Sequence, residues 1–151
     1  MFFYNGHRPE KRFYIRKCDY QEWRKFRKYH YLDTSLNKAA RCFGIYDDEK
    51  IIGFVAILHV PHKIKNLKRI SRIVILPDYQ GIGIGTQVVD FFGEYYKKLG
   101  YKLSIVTSAK NMIFSLKSNP KWRMSRYGYV SQHSNKTWKV RKVKTAGFMY
   151  K

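Results

Sequence analysis

The segment Gln80-Gly81-Ile82-Gly83-Ile84-Gly85 follows the apolar run Ile73-Val74-Ile75-Leu76 and Pro77, and it is the part of this chain best equipped for chemistry. Glycines at 81, 83 and 85 allow backbone geometry and close approach that side chains would block. From Thr86 the chain reads as a helix with apolar residues at Val88, Val89, Phe92 and Tyr96. A strand, a glycine-rich turn and a helix N-terminus together make a nest of backbone N–H groups of phosphate size. The chemistry to expect is the holding of a diphosphate-bearing cofactor; a plain glycine-rich turn is the bland alternative.

Two familiar nucleotide motifs do not fit. The loop lacks a Gly-Lys-Ser/Thr ending, so the lysine and the magnesium ligand of a P-loop are missing. A dinucleotide site would want an acidic residue about 20 residues further on, where this chain has Tyr101-Lys102-Leu103.

The run from Arg72 to Gly85, with Gln80-x-x-Gly83-x-Gly85 directly after a strand and Pro77-Asp78-Tyr79, resembles the acetyl-CoA-binding signature of the GNAT superfamily of N-acetyltransferases, Arg/Gln-x-x-Gly-x-Gly/Ala. That family continues with a helix, a strand and a second helix, and residues 86–98, 103–107 and 109–117 supply them in that order. The resemblance implies an α/β (α+β) fold: a mixed, mostly antiparallel central sheet with a splayed strand pair and flanking helices, in one domain over residues 1–151. It also implies an acetyl-CoA-dependent N-acetyltransferase in which an amine attacks the acyl group directly, with no metal and no protein nucleophile. Strand backbone at Ile73, Val74 and Ile75 would pair with the pantetheine arm, Gln80 would open the cofactor-binding signature, and the N–H groups of Gly81, Ile82, Gly83, Ile84, Gly85 and Thr86 would hold the pyrophosphate. Asn111 falls where family members often carry an asparagine that contacts the cofactor; a solvent-facing or capping Asn is the alternative.

An attacking amine must be neutral, and a departing thiolate benefits from a proton or a hydrogen bond. His59, at the end of an apolar hairpin strand, is a candidate base or water-positioning residue, against a structural or surface histidine. His30, at the break between two N-terminal helical segments, is a second candidate, against a packing or capping role, and Tyr31 beside it offers a hydroxyl or an aromatic wall. Many family members place a tyrosine acid about seven residues beyond the Asn111 position, whereas this chain has Ser118 there. A serine hydroxyl serves better as a hydrogen-bond donor than as an acid, which leaves water or another hydroxyl for that work. The central strand offers Arg69, Ser71 and Arg72 in place of a glutamate, and period-two alternation puts Arg69 and Ser71 on one face and Arg72 on the other. If Ser71 or Arg72 faces the acceptor, a substrate with oxygens or phosphate is favoured over a simple polyamine; the plain alternative is that these residues satisfy local structure.

Charge is the second clue. Lys and Arg total 31 against 10 acidic residues, for a net charge of +21 spread over residues 8–28, 63–72, 97–102, 110–126 and 136–151. Such a field attracts polyanions and repels polyamines and basic tails. Cations interleaved with Tyr14, Tyr20, Tyr29, Tyr31, Tyr127, Tyr129 and Trp138 suit phosphate contacts plus base stacking. The resemblance implies acetyl-CoA as a partner, and the charge suggests a DNA, RNA or nucleic-acid-bound acceptor, with a solvated basic surface as the competing account. The competing readings are a noncatalytic nucleic-acid-binding module of the same fold and an acetyltransferase for a small metabolite or protein amine.

The elements that must position these residues can be read coarsely. Residues 11–16 read as a first strand, Asp19 through Tyr29 as a helix with Trp23, Phe26 and Tyr29 or His30 on one face, and a stretch with Leu36, Ala39 and Ala40 as a second short helix. Residues 42–46 and 51–60 form a hairpin about Asp47-Asp48-Glu49-Lys50, and residues 69–76 form the central strand. Terminal strands follow Trp122, around a loop at 132–136. Cys18 and Cys42 have no metal-ligand companions and read as buried or half-exposed thiols. With no 18-residue apolar stretch and no basic-then-apolar start, neither a membrane span nor a secretion signal is expected, and the expected location is the cytoplasm. The expected state is monomer or homodimer.

Overall fold

Phe54, Val55, Ala56 and Ile57 follow one another and are all buried, so their strand must be covered on both faces. The computed structural model of the chain, which describes residues 2–5, 8–30, 35–134 and 137–151, shows what covers it. Among the described residues eight strands form one sheet: β1 (Phe2–Asn5), β2 (Arg8–Lys17), β3 (Arg41–Asp47), β4 (Lys50–His59), β5 (Leu67–Ile75), β6 (Lys102–Thr107), β7 (Trp122–Ser134) and β8 (Thr137–Tyr150). Their order across the sheet is β1-β2-β3-β4-β5-β6-β8-β7. Every neighbouring pair is antiparallel except β5 and β6. That pair is parallel because helix α1 (Ile84–Lys98) carries the chain back between them, and parallel strands need such a crossover. Helix α2 (Lys110–Lys117) then links β6 to β7.

The larger core joins Ile45, Val55, Ile57 and Ile75 of the sheet to Val88, Val89, Phe92 and Tyr96 of α1, the residues whose helical spacing is visible in the sequence. A smaller core on the opposite side collects Phe54, Ala56 and Val74 under Trp23 and Phe26. Each such aromatic removed from water contributes roughly 1.5–3 kcal/mol. Among the described residues no helix is long and apolar enough to cross a membrane.

The N-terminal helical tract takes a different form from the one expected. Residues Tyr20–Lys25 and Arg27–Tyr29 are 3-10 turns, started by Asp19, whose side chain accepts from the Gln21 N–H at 2.7 Å. The spacing Trp23, Phe26, Tyr29 is threefold, and side chains at i and i+3 eclipse in a 3-10 helix, so this period fits it better than an α-helix. Trp23 and Phe26 go inward at 5% and 1% exposure, while Tyr29 stays out at 39%. The second short helix is absent from residues 35–40, where the Asn37 side chain accepts from the Ala39 N–H at 2.9 Å and its carbonyl from Ala40 at 3.0 Å. An asparagine turn of this kind competes with helix. The rest of that segment, 31–34 with Tyr31, lies outside the described residues. Strand β1, which pairs with β2, is too short to show a period of its own in the sequence.

Candidate active site

Strands β5 and β6 pair from Leu67 opposite Lys102 to Ile70 opposite Ile105, and then part. Beyond that point β5 stays with β4, reaching Ile75 opposite Gly53, while β6 stays with β8, reaching Thr107 opposite Ala146. A β-bulge sits at the fork: Arg72 faces Ala56 and Ile70 faces Ile57, which leaves Ser71 as the extra residue, its hydroxyl donating to the Ala56 carbonyl at 3.2 Å. The gap opens into a cavity of about 750 Å³. Because the Leu76 N–H donates back to Ile52, ladder alternation turns the backbone groups of Ile73 and Ile75 away from β4 and into the gap. Val74 also lines the cavity, although the same alternation commits its backbone to β4 and its side chain packs in the smaller core.

At one end of the gap the chain makes an anion cradle. After the 3-10 turn Pro77–Tyr79, Gln80 folds back so that its Nε2 donates to the Ile75 carbonyl at 2.8 Å, capping the strand end. Gly81 and Gly83 have φ of 80° and 83°, the left-handed region where other residues are strained. The Gln87 N–H donates to the Gly83 carbonyl at 3.1 Å and opens the helical ladder, so the N–H groups of Ile84, Gly85 and Thr86 begin the helix without partners inside it. Gly83 supplies no side-chain cap, and the helix dipole adds partial positive charge there. A Cβ on Gly81 would meet no atom within 4 Å, so that side of the loop is open, whereas one on Gly85 would lie 3.3 Å from Met112 Cε, where α2 closes on α1. Asn111 and Met112 of α2 line the same cavity. Bare N–H groups, exposed strand backbone and an adjoining helix fit a diphosphate with an extended amide arm.

The other end of the cavity has a mixed wall of Tyr29, His30, Ser71, Arg72, Arg126 and Thr145. His30 stands edge-on to Trp23 with ring centroids 5.9 Å apart. Arg72 is braced by donating Nη1 to the Ser71 carbonyl at 2.7 Å and Nη2 to the Ser35 carbonyl at 3.2 Å. The bulge also resets the faces of β5. Ile73 and Ile75 pack toward α1 and Val74 toward the smaller core, so Arg72 shares the face of Val74. Arg69 donates to Ser104 Oγ at 3.3 Å on that same side, opposite the buried Leu103 and Ile105. Strict alternation along the sequence separates Arg69 from Arg72; the inserted Ser71 puts them together.

Of the candidate proton-transfer residues, the structure brings His30 to the cavity. His59 is exposed at the end of β4 opposite Lys68 and is not among the lining residues. Ser118 caps α2 with its hydroxyl donating to the carbonyls of Phe114 at 3.1 Å and Ser115 at 3.3 Å, and it too stands apart from the lining. Ser115, one turn earlier, does line the cavity, as do Arg126 and Thr145, and no sequence motif singles out any of the three. No local signal marks Arg126: its placement depends on a second bulge, between Met124 and Arg126, that sets it opposite Gly147. The thiols are poorly suited to attack. Burial pushes Cys18 up to about 12, with Cys42 adding to the effect, and burial raises Cys42 as well. Among the described residues no group of three or more His, Cys, Asp or Glu could hold a metal ion.

A mixed sheet that parts beside a glycine-rich helix start defines an α/β fold with a cleft between two strands. The chain belongs to the acetyltransferase (GNAT) family, whose family model matches residues 3–113. Solved structures agree on the fold. An IAA acetyltransferase from Bacillus cereus superposes with a TM-score of 0.65 at 15% identity, covering 91% of this chain and 98% of the other. An acetyltransferase from Bacillus subtilis in complex with CoA gives 0.65 at 17% identity, covering 91% and 97%. A GNAT family acetyltransferase from Elizabethkingia anophelis with acetyl-CoA bound gives 0.64 at 14% identity, covering 92% and 97%. No curated protein matches the sequence significantly.

Proposed function

We propose that this chain, acting as one domain, is an acetyl-CoA-dependent N-acetyltransferase whose acceptor amine lies on a nucleic acid or a nucleic-acid-associated molecule. The observation that carries the cofactor is the cradle: the Ile84, Gly85 and Thr86 N–H groups stand at the mouth of a strand pair that parts after Ile70. Those groups hold the pyrophosphate, the Ile73 backbone and the Ile75 N–H pair with the amide arm, and Asn111 closes the site from α2. When bound, acetyl-CoA supplies an acyl group activated as a thioester. The chain's own part is to hold the amine and thioester ends in one pocket, which replaces a bimolecular encounter. His30 is the residue on the acceptor wall whose imidazole can serve as the base. With Ser118 committed to carbonyls, Ser115 is the hydroxyl that α2 offers to the cavity.

Support for a polyanionic partner comes from the +21 charge and from a second cavity. It measures about 550 Å³ and lies at the far end of α1, with Lys97, Lys102, Arg123 and Lys151 around an apolar floor of Leu103 and Met149. Among the described residues none of these four cations forms an ion pair. We place the action in the cytoplasm, by a monomer or homodimer.

Calorimetric titration of nucleic-acid-free protein with acetyl-CoA and with CoA tests the reading. Saturable stoichiometric binding is expected. Absence of binding by two independent probes would overturn it and favour a noncatalytic polyanion-binding module.

A further inference from the structure

The charged and titratable groups lining the main cavity are Tyr29 and His30 from the second 3-10 turn, Arg72 from β5, Tyr79 from the turn after β5, and Arg126 from β7. Among the described residues α1, α2, β6 and β8 add no charged group to that lining, and no carboxylate of a described residue lines it. An ammonium group entering alone therefore meets two guanidinium charges and, among the described residues, no counter-charge, which disfavours it. Polyamines, with further positive charges, are disfavoured more.

The two arginines are held differently. Arg72 is braced by the Ser71 and Ser35 carbonyls. Arg126 is exposed and lies opposite Gly147 in the ladder, and its side chain takes part in no hydrogen bond or ion pair among the described residues. Gly147 leaves that stretch of β8 without a side chain, and a Cβ there would already stand 3.0 Å from Ser125 Oγ and 3.6 Å from Arg126 Cβ. A guanidinium so placed presents its donors in a planar fork that matches two oxygens of one carboxylate or phosphate. On the same wall, Thr145 Oγ1 is buried with no hydrogen-bond partner, a polar atom that a ligand oxygen or N–H would satisfy.

We infer that the acceptor end of this cavity selects an amine that carries an anionic group close by, a carboxylate or a phosphate, and that Arg126 is the specificity-determining residue that grips that group. The inference rests on the acetyl-CoA reading and names the acceptor chemistry within it. Arg72 keeps the cavity cationic, Arg126 engages the anion, and the amine is thereby oriented toward His30 and the fork of β5 and β6.

The experiment measures acetyl-CoA-dependent release of free CoA thiol with matched acceptor pairs. Tyrosine against tyramine forms the carboxylate arm, phosphoethanolamine against ethanolamine the phosphate arm, and spermidine serves as the cationic control. Binding of acetyl-CoA is followed separately by calorimetry. The expected result is a preference of about tenfold or more in kcat/KM for the anionic member of at least one pair, the size that a hydrogen bond to a charged group supplies. Arg126→Gln should collapse that preference to within about twofold, mainly through KM, with acetyl-CoA affinity unchanged; Arg126→Lys, which keeps the charge but loses the fork, should fall between. Equal or reversed preference in both pairs, an undiminished preference in Arg126→Gln, or turnover of no pair member while acetyl-CoA binds would each overturn the inference and leave the cofactor assignment standing. Failure to bind acetyl-CoA would instead overturn the reading on which it rests.

Discussion

The Tyr79 hydroxyl donates to Asp47 Oδ2 at 2.8 Å, tying the turn that precedes the glycine loop to the end of β3. Lys11 Nζ reaches the same oxygen at 2.7 Å from β2, so one carboxylate fastens the cradle to two strands. Tyr79→Phe keeps the ring contacts with Lys11, Lys50 and Phe13 and removes only the hydroxyl. The expected loss is about 1–2 kcal/mol of unfolding free energy by denaturant titration. Unchanged stability would show that the bond does not hold the loop.

The same cluster sets an acid limit. Burial of Asp47 pushes its carboxyl up, but the hydrogen bonds from Lys11 and Tyr79 and the charges of Lys11 and Lys50 outweigh this and hold it below the ordinary carboxylate range. A depressed folded-state pKa stabilises the protein above the unfolded value of about 4, and that contribution disappears as pH falls through the folded value. The stability gap between wild type and Asp47→Asn should therefore be widest near neutral pH and close as the medium is acidified below about pH 4. A gap independent of pH would contradict the assignment.

Gly83 precedes α1 with φ of 83° and ψ of 7°, so a β-branched residue there meets both strain and the path of the anion. Strain alone costs roughly 1–2 kcal/mol. Gly83→Val should weaken CoA binding by about tenfold or more, while nonspecific binding of DNA or RNA stays largely intact. Isothermal titration of the folded variant decides it, and wild-type CoA affinity would remove the loop from the cofactor site.

Gly93 of α1 is the seat of the C-terminal strand. A Cβ there would lie 2.2 Å from Tyr150 Cδ2 and 2.6 Å from Cγ, so rotation of the ring cannot clear it. Alanine favours helix over glycine by about 1 kcal/mol, but overpacking of this kind costs about 1–3 kcal/mol. Gly93→Ala should come out net destabilising, and a raised Tm would show that Tyr150 can move aside.

The distal cations offer a separate test of polyanion binding. Lys102→Glu with Arg123→Glu should lower the steepness of the salt dependence of oligonucleotide binding, by about 0.7 for each phosphate of a single strand that is no longer neutralised. CoA affinity should not change, because Lys102 and Arg123 line the other cavity. An unaltered salt slope would separate this cavity from nucleic acid.

The sequence by itself determined the cradle, the core face of α1 and the order of elements around them. Positive-φ glycines, a strand end and an amphipathic helix are local features, and local backbone preference does not depend on distant partners. It determined the excess of cationic over acidic residues as well, because charge is additive over residues. Tertiary structure alone decided which polar residues share the cavity. Ser71, inserted as a bulge, moved Arg72 onto the face of Arg69, and the bulge before Arg126 delivered a guanidinium to the cavity wall without any mark in the sequence around it. His59 and His30 are equally plausible along the chain, yet only His30 reaches the cavity, because β4 ends in solvent while the second 3-10 turn ends beside the parted strands. A shift of one residue in a ladder reverses every side chain beyond it, so the face that a polar residue presents is a property of strand pairing, which sequence periodicity does not specify.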